Sequence, residues 1–261
     1  MMISLISKIS SLSTQTNSKA PIRRVAVIGS GIAGLSVAHA LDVPEVHIFE
    51  GRDGMDKGGA GIQLNGGLAV MDDALRQKVW EAGAPIARIS SWGRQDSESL
   101  ARKKLLDIDI PNMIKESRLK NTLIANVAGN DETLWLGIMR GKLQQILHEA
   151  LPSNRSISYG KKLMRLSHDV EGYVCHFADG TESQPFDVVI GCDGIRSEVK
   201  RFVESTMGED KQSSPVYSGI RISFAVGDTA KTKSPIDRAS LTQYFGNGGY
   251  ALHGIYGNGA N

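Results

Sequence analysis

The stretch "VAVIGSGIAGLSVAHAL", Val25 to Leu41, decides the fold. Its opening run, with apolar Val25, Val27 and Ile28, reads as a short buried strand. Gly29, Gly31 and Gly34 follow in the spacing G-x-G-x-x-G, and "GIAGLSVAHAL" continues as a helix. Downstream, "EVHIFE" alternates Val46 and Ile48 before Phe49 and Glu50, which predicts a second strand. Strand, glycine turn, helix and strand make a βαβ unit, and the connection implies a parallel pair.

The chemistry of such a turn is specific. Gly29 lets the chain turn sharply out of the strand, Gly31 lets a pyrophosphate approach the backbone, and Gly34 lets the helix pack against the sheet. The helix start then points N–H groups and a positive dipole end at the phosphates. A carboxylate is expected about 20 residues on, and Glu50 stands there, placed to accept hydrogen bonds from an adenosine ribose. An acidic residue at that position disfavours a 2′-phosphate, and so NADP, at this site. FAD and NAD both satisfy these features.

The remaining composition narrows the class. The chain has 261 residues, 41% hydrophobic and 22% charged, as in an ordinary globular protein. A formal net charge of +2 gives no electrostatic case for nucleic acid or an anionic membrane. The only cysteines are Cys175 and Cys192, so neither a disulfide framework nor a metal spacing is present. No apolar run approaches the roughly 20 residues of a transmembrane helix. The first 21 residues, "MMISLISKISSLSTQTNSKAP", are rich in Ser and Thr and lack acids. Met2, Leu5, Ile6, Ile9 and Leu12 would share one helix face, a pattern of organellar transit peptides. Two expectations stand: a mitochondrial or plastid address, or a disordered leader on a cytoplasmic protein.

Further along, a helical pattern runs from Leu68 to Ala82, and "GIMRGKLQQILHEAL" predicts a helix with Leu143, Ile146, Leu147 and Leu151 on one face. Residues 90 to 120 are ambiguous, with some strand character. Ala178-Asp179-Gly180 predicts a hairpin turn. "FDVVIGCDG" reads as a buried strand entering a glycine loop, with a helix from "GIRSEVKRFV". "VYSGIRISFAV" and "ALHGIY" read as strands.

"GGAGIQLNGG", "GIMRGKL" and "DVVIGCDGIRSEVK", in this order after the βαβ unit, resemble the class A flavoprotein monooxygenases, the aromatic-ring hydroxylases and epoxidases. The resemblance runs from Arg23 to the end of the chain. It implies an α/β fold: a Rossmann-like FAD-binding domain of the GR2 type, with a partial β-sheet substrate domain. The implied FAD-binding domain covers 22–92 and 122–206, and the substrate domain 93–121 and 207–261. The family's pyrophosphate loop falls on Gly29, Gly31 and Gly34 and its ribose ligand on Glu50. Arg52 falls near a family arginine, with Gly51 intervening. Gly61 and Ile62 match the loop beside the flavin, and Arg140 an arginine that contacts FAD. Asp193 and Gly194 match the "DG" motif linked to both FAD and NAD(P)H; Asp193 also fits a cap for the following helix.

The implied reaction is oxygen insertion into a small aromatic or isoprenoid molecule, with FAD as cofactor and NAD(P)H and molecular oxygen as co-substrates. The cofactor carries that chemistry, so few protein groups need stand out. The family's later G-D-A-A-H motif has no counterpart in these 261 residues; "GDTA" at 227–230 comes too early and lacks the histidine. The expectation is therefore an N-terminal portion of a monooxygenase that binds FAD weakly or not at all by itself. Two alternatives stay open, a catalytically incompetent nucleotide-binding fragment and an NAD-linked oxidoreductase.

Overall fold

A computed structural model describes residues 21–55, 58–94, 101–117, 135–208, 214–228 and 239–257. Strand β1 (Arg24–Ile28) leads through the glycine turn into helix α1 (Ile32–Ala40) and then β2 (Glu45–Phe49). These pair in parallel, Val25 opposite Val46 and Val27 opposite Ile48. Strand β11 (Val188–Gly191) joins the other edge of β1 in parallel, and β8 (Arg155–Ser158) extends β2. The sheet order is β11-β1-β2-β8.

Alternation along β1 and β2 sorts two cores onto the two faces. Val25, Val27, Val46 and Ile48 pack on one face with Leu35 of α1 and with Leu143 and Leu147 of α4 (Arg140–Glu149). Ala26, Ile28 and Phe49 pack on the other. That second face is covered by the antiparallel hairpin β9 (Leu163–His168) and β10 (Tyr173–Phe177) and by α5 (Glu198–Thr206). Each fully buried aliphatic side chain contributes roughly 1.5–3 kcal/mol. Strand β11 is half-buried, with Gly191 exposed, so the buried strand expected from "FDVVIGCDG" is less enclosed than its composition implies. Both sheet positions of β2 expected to be apolar, Val46 and Ile48, are fully buried.

Two smaller sheets follow. Strand β3 (Gly61–Asn65) and β4 (Ala84–Pro85) flank β7 (Trp135–Met139) in antiparallel fashion. The other sheet has the order β13-β12-β5-β6, built from Gly249–His253, Ser240–Gly246, Arg88–Arg94 and Arg102–Asp109. Helix α3 (Ile110–Glu116), capped by the Asp109 carboxylate, packs Ile110 and Ile114 against Ile89 and Leu241 of this sheet. The ambiguous 90–120 stretch thus holds two strand segments and a helix, and strand β5 straddles the domain boundary expected at residue 92. The helical pattern from Leu68 divides in two. A 3₁₀ turn covers Gly67–Val70, and α2 (Asp73–Ala82) starts afresh because the Asp72 carboxylate accepts from the Leu75 N–H at 2.8 Å.

One expected strand is corrected. Residues 214–228, which include "VYSGIRISFAV", pair with no strand among the described residues. Val216, Ile222 and Phe224 are exposed at 91%, 77% and 64%. Alternating apolar residues favour extended chain, but a strand exists only when a neighbour takes its backbone hydrogen bonds. The leader 1–20, with its targeting expectation, lies outside the described residues, as do Thr229 and Ala230 of "GDTA".

Arg155 ties β8 to the end of α1. Its guanidinium donates to the carbonyls of Ala38 at 3.0 Å, Val43 at 3.1 Å and Leu41. A cation that satisfies the last carbonyls of a helix also meets the negative end of its dipole. Arg155→Ala is expected to destabilise the protein by about 2 kcal/mol, read as a shift of the urea midpoint at unchanged slope. An unshifted midpoint would show that water replaces these bonds without loss. His39, also on α1, reaches the Leu147 carbonyl at 2.8 Å and so joins α1 to α4.

Candidate functional site

The C-terminal ends of β1, β2 and β11 converge on the glycine turn. Gly29 has φ of 101°, a backbone that favours glycine, and a Cβ there would lie 2.5 Å from the Cys192 carbonyl oxygen. A Cβ on Gly34 would collide with the Gly29 carbonyl oxygen itself. Gly31 differs: a Cβ would meet nothing within 4 Å, so its backbone faces open space. Gly31 is also the N-cap of α1, where no side chain caps the helix. The first-turn N–H groups are therefore left to a ligand's acceptors.

Glu50 sits where the spacing predicts and does more than the spacing implies. Its Oε2 accepts from the Ser30 N–H and the Ser30 hydroxyl, both at 2.8 Å, and its Oε1 accepts from the Arg52 N–H at 3.0 Å. Burial opposes ionisation, but the backbone N–H groups of Arg52 and Ser30 and the Ser30 hydroxyl outweigh it, holding the carboxyl below its ordinary value. Glu50 is thus a carboxylate that braces the glycine turn from below. Arg52 enters this network through its backbone, while its side chain lies exposed.

Asp193 closes the third side. One carboxylate oxygen accepts from the Glu198 N–H at 2.7 Å and the Val199 N–H at 3.4 Å, across the 3₁₀ turn Gly194–Arg196. The residue therefore does cap the next helix. Its other oxygen is buried and has no hydrogen-bond partner. Gly194 has φ of 82°, which only a glycine adopts without strain. Cys192, beside it, has its thiol pushed up by burial and by the Asp193 charge, and burial takes Cys175 up to about 11. Raised thiols of this kind disfavour the thiolate, the reactive form.

Arg140, Gly61 and Ile62 lie together on the far side. Arg140 opens α4, its N–H donates to the Ala60 carbonyl at 3.1 Å, and Gly59 packs against its side chain. Gly61 and Ile62 begin strand β3, paired with Met139 and Ile138, so they are not the loop that the resemblance implies. The ladder to β7 claims their backbones, and Gly58–Ala60, just before them, are in neither helix nor strand. The ring of Tyr256 occupies the space beside Gly61, and Gln63 Nε2 donates to its hydroxyl at 3.1 Å.

Three residues of the site were missed by sequence reasoning. Ser30 and Gln144 are nearly fully buried, and Gln144 Nε2 donates to the Ser30 carbonyl at 2.9 Å. Gln144 follows Arg140 by four residues, so both share one face of α4. Tyr159 is the third. Ile157 and Ile48 are register partners, both packed into the α1/α4 core, and Tyr159 and Glu50 follow each two residues on, past the strand ends. Burial, then the Glu50 charge, raises the Tyr159 phenol above its ordinary value. Only the polar residue Gln144 within an apolar helix face could have signalled any of these. Among the described residues no cluster of His, Cys, Asp or Glu is arranged for a metal, and no helix is long and apolar enough to cross a membrane.

A parallel sheet, a glycine turn opening a helix and a carboxylate at the end of the second strand define a dinucleotide-binding α/β protein. No protein-family model matches the chain. Curated relatives do. The 3-amino-4-hydroxybenzoate 2-monooxygenase of Streptomyces cremeus is 29% identical over 76% of this chain and 45% of its own length. The 6-hydroxynicotinate 3-monooxygenase of Pseudomonas fluorescens is 28% identical over 81% of this chain and 49% of its own. The salicylate hydroxylase of Pseudomonas putida is 26% identical over 78% and 42%. Among solved structures, Klebsiella pneumoniae HpxO, complexed with FAD and uric acid, shares the fold at TM-score 0.61 and 17% identity, over 89% of this chain and 53% of its own. The chain is thus similar to FAD-dependent monooxygenases, in keeping with the flavoprotein resemblance of its motifs, and it spans about half the length of the curated relatives it matches.

Proposed function

We propose that the chain forms the FAD-binding portion of a monooxygenase that uses NAD(P)H and molecular oxygen to hydroxylate a small aromatic molecule. The observation that carries this reading is the turn itself. Glu50 is locked as a carboxylate beneath Ser30, while Gly31 and the uncapped start of α1 face open space. The donor set suits the ADP end of FAD: backbone N–H groups for the pyrophosphate and a carboxylate for ribose hydroxyls. The partnerless buried oxygen of Asp193 adds an acceptor for a further hydroxyl. Bound FAD would supply the redox chemistry, taking a hydride from NAD(P)H and passing electrons to oxygen.

The chain's own residues bind and orient. Gly31 and the first turn of α1 would hold the phosphates, Glu50 and Tyr159 would border the adenosine, and Arg140 would stand at the pyrophosphate from α4. Gly58–Ala60 would approach the ring system, and Asp193 would hold a hydroxyl of the chain between them. The relatives' names point to hydroxylated aromatic carboxylates as the substrate class. The division into a discontinuous FAD-binding domain, 22–92 and 122–206, and a substrate domain belongs to the same proposal.

The test is a titration of the purified chain with ADP, FAD and NAD, followed by tryptophan and flavin fluorescence. ADP is expected to bind, and FAD to compete for the same site only weakly. Binding of neither would overturn the reading, and a preference for NAD over FAD would favour an NAD-linked oxidoreductase. For the whole activity, NAD(P)H-dependent oxygen uptake should respond to hydroxybenzoates.

A further inference from the structure

Among the described residues, Gln144 and Ser91 are the most deeply buried polar side chains that the proposed chemistry leaves unused, and only Gln144 reaches the glycine turn. It is 3% exposed in the middle of the α4 face that packs on α1. Its amide nitrogen donates to the Ser30 carbonyl at 2.9 Å, and its amide oxygen has no hydrogen-bond partner. An apolar side chain would fill this place without burying an unsatisfied oxygen. The side chain therefore serves the one bond it makes.

That bond fixes a direction. In a planar trans peptide the carbonyl of one residue and the N–H of the next point opposite ways. The Ser30 carbonyl is drawn towards α4, so the Gly31 N–H is turned the other way. The preceding peptide is pinned as well, since the Ser30 N–H is held by Glu50 at 2.8 Å. Without Gln144, the peptide between Ser30 and Gly31 could rotate and present a carbonyl, which repels phosphate, in place of an N–H. Glycine at position 31 leaves little backbone resistance to such a rotation.

We propose that Gln144 is a positioning residue of the phosphate site: by holding the Ser30 carbonyl, it aims the Gly31 N–H at a dinucleotide's pyrophosphate. The inference rests on the nucleotide-binding reading above. It makes the phosphates, and not the nucleoside, the part of the ligand that senses Gln144.

The experiment titrates the full chain and its Gln144→Leu and Gln144→Met variants with ADP and with adenosine, alongside thermal unfolding without ligand. Methionine nearly conserves the volume of glutamine and serves if leucine disturbs packing. The expected result is ADP affinity weakened about tenfold, adenosine affinity unchanged within about twofold, and little change in the unfolding midpoint. Variants that bind ADP like the parent would overturn the inference and leave the nucleotide reading intact. So would parallel losses for ADP and adenosine with a lowered midpoint, the mark of a packing role. A parent chain that binds neither ligand would overturn both.

Discussion

Gly34→Ala is expected to be the most damaging single methyl addition in the protein, with a loss of about 3 kcal/mol or more and no detectable ADP binding. The added carbon would collide with the Gly29 carbonyl oxygen, and 3.3 Å away lies Val27 Cγ1 in the fully buried core. Neither neighbour is a free side-chain end. Relief requires α1 to move off β1, which separates Leu35 and Ala38 from Val25 and Val27. The same movement carries the start of α1 away from the glycine turn, so binding fails with stability. Gly31→Ala is the control. Its φ of −67° suits alanine and its Cβ meets nothing, so stability should hold or rise slightly while ADP binding falls. Urea unfolding and ADP titration of the two variants check this. Equal stability for both would mean that the helix packs less closely than the geometry requires.

Glu50→Gln is expected to lower stability by roughly 1–3 kcal/mol and to weaken ADP binding about 10- to 100-fold. The carboxylate accepts three hydrogen bonds, two from Ser30 and one from the Arg52 N–H. An amide offers one acceptor oxygen, and its NH₂ must then face a donor, leaving an N–H unsatisfied. The substitution also removes an acceptor for the ribose. The pH dependence has a definite sign. The folded-state carboxyl ionises below its ordinary value of 4.5, so its stabilising effect is complete above that value and is lost as pH falls through the folded one. The parent should lose stability relative to Glu50→Gln over that acid range. Thermal midpoints of the two proteins converging as pH falls below about 4.5 would be the signature. A constant difference would show that Glu50 contributes through shape and not charge.

These two residues were legible from the chain because their reasons are local. A glycine turn between an apolar strand and a helix carries its own signature, and the following carboxylate stands at a spacing set by one βαβ unit. The fourfold spacing of Leu143 and Leu147 was legible for the same cause, since an α-helix repeats its face every turn. Gln144 shows the limit. Its place as a polar residue on an apolar helix face marks it, but nothing in the sequence names its partner, Ser30, 114 residues away. The strand expected at "VYSGIRISFAV" shows the converse, because alternation is present and a partner is not.

By itself, then, the sequence determined the βαβ unit, the glycine turn, the paired carboxylate and the flavoprotein resemblance. The first three depend on side chains and backbone preferences within a few dozen residues, and the resemblance on short motifs each legible in place. Only the tertiary structure decided that Glu50 braces the turn through Ser30, that Gln144 holds the Ser30 carbonyl, and that Gly61 opens a strand against Tyr256. Those contacts join residues far apart in the chain. They exist only because the parallel sheet and its two packed faces bring strand ends to one place.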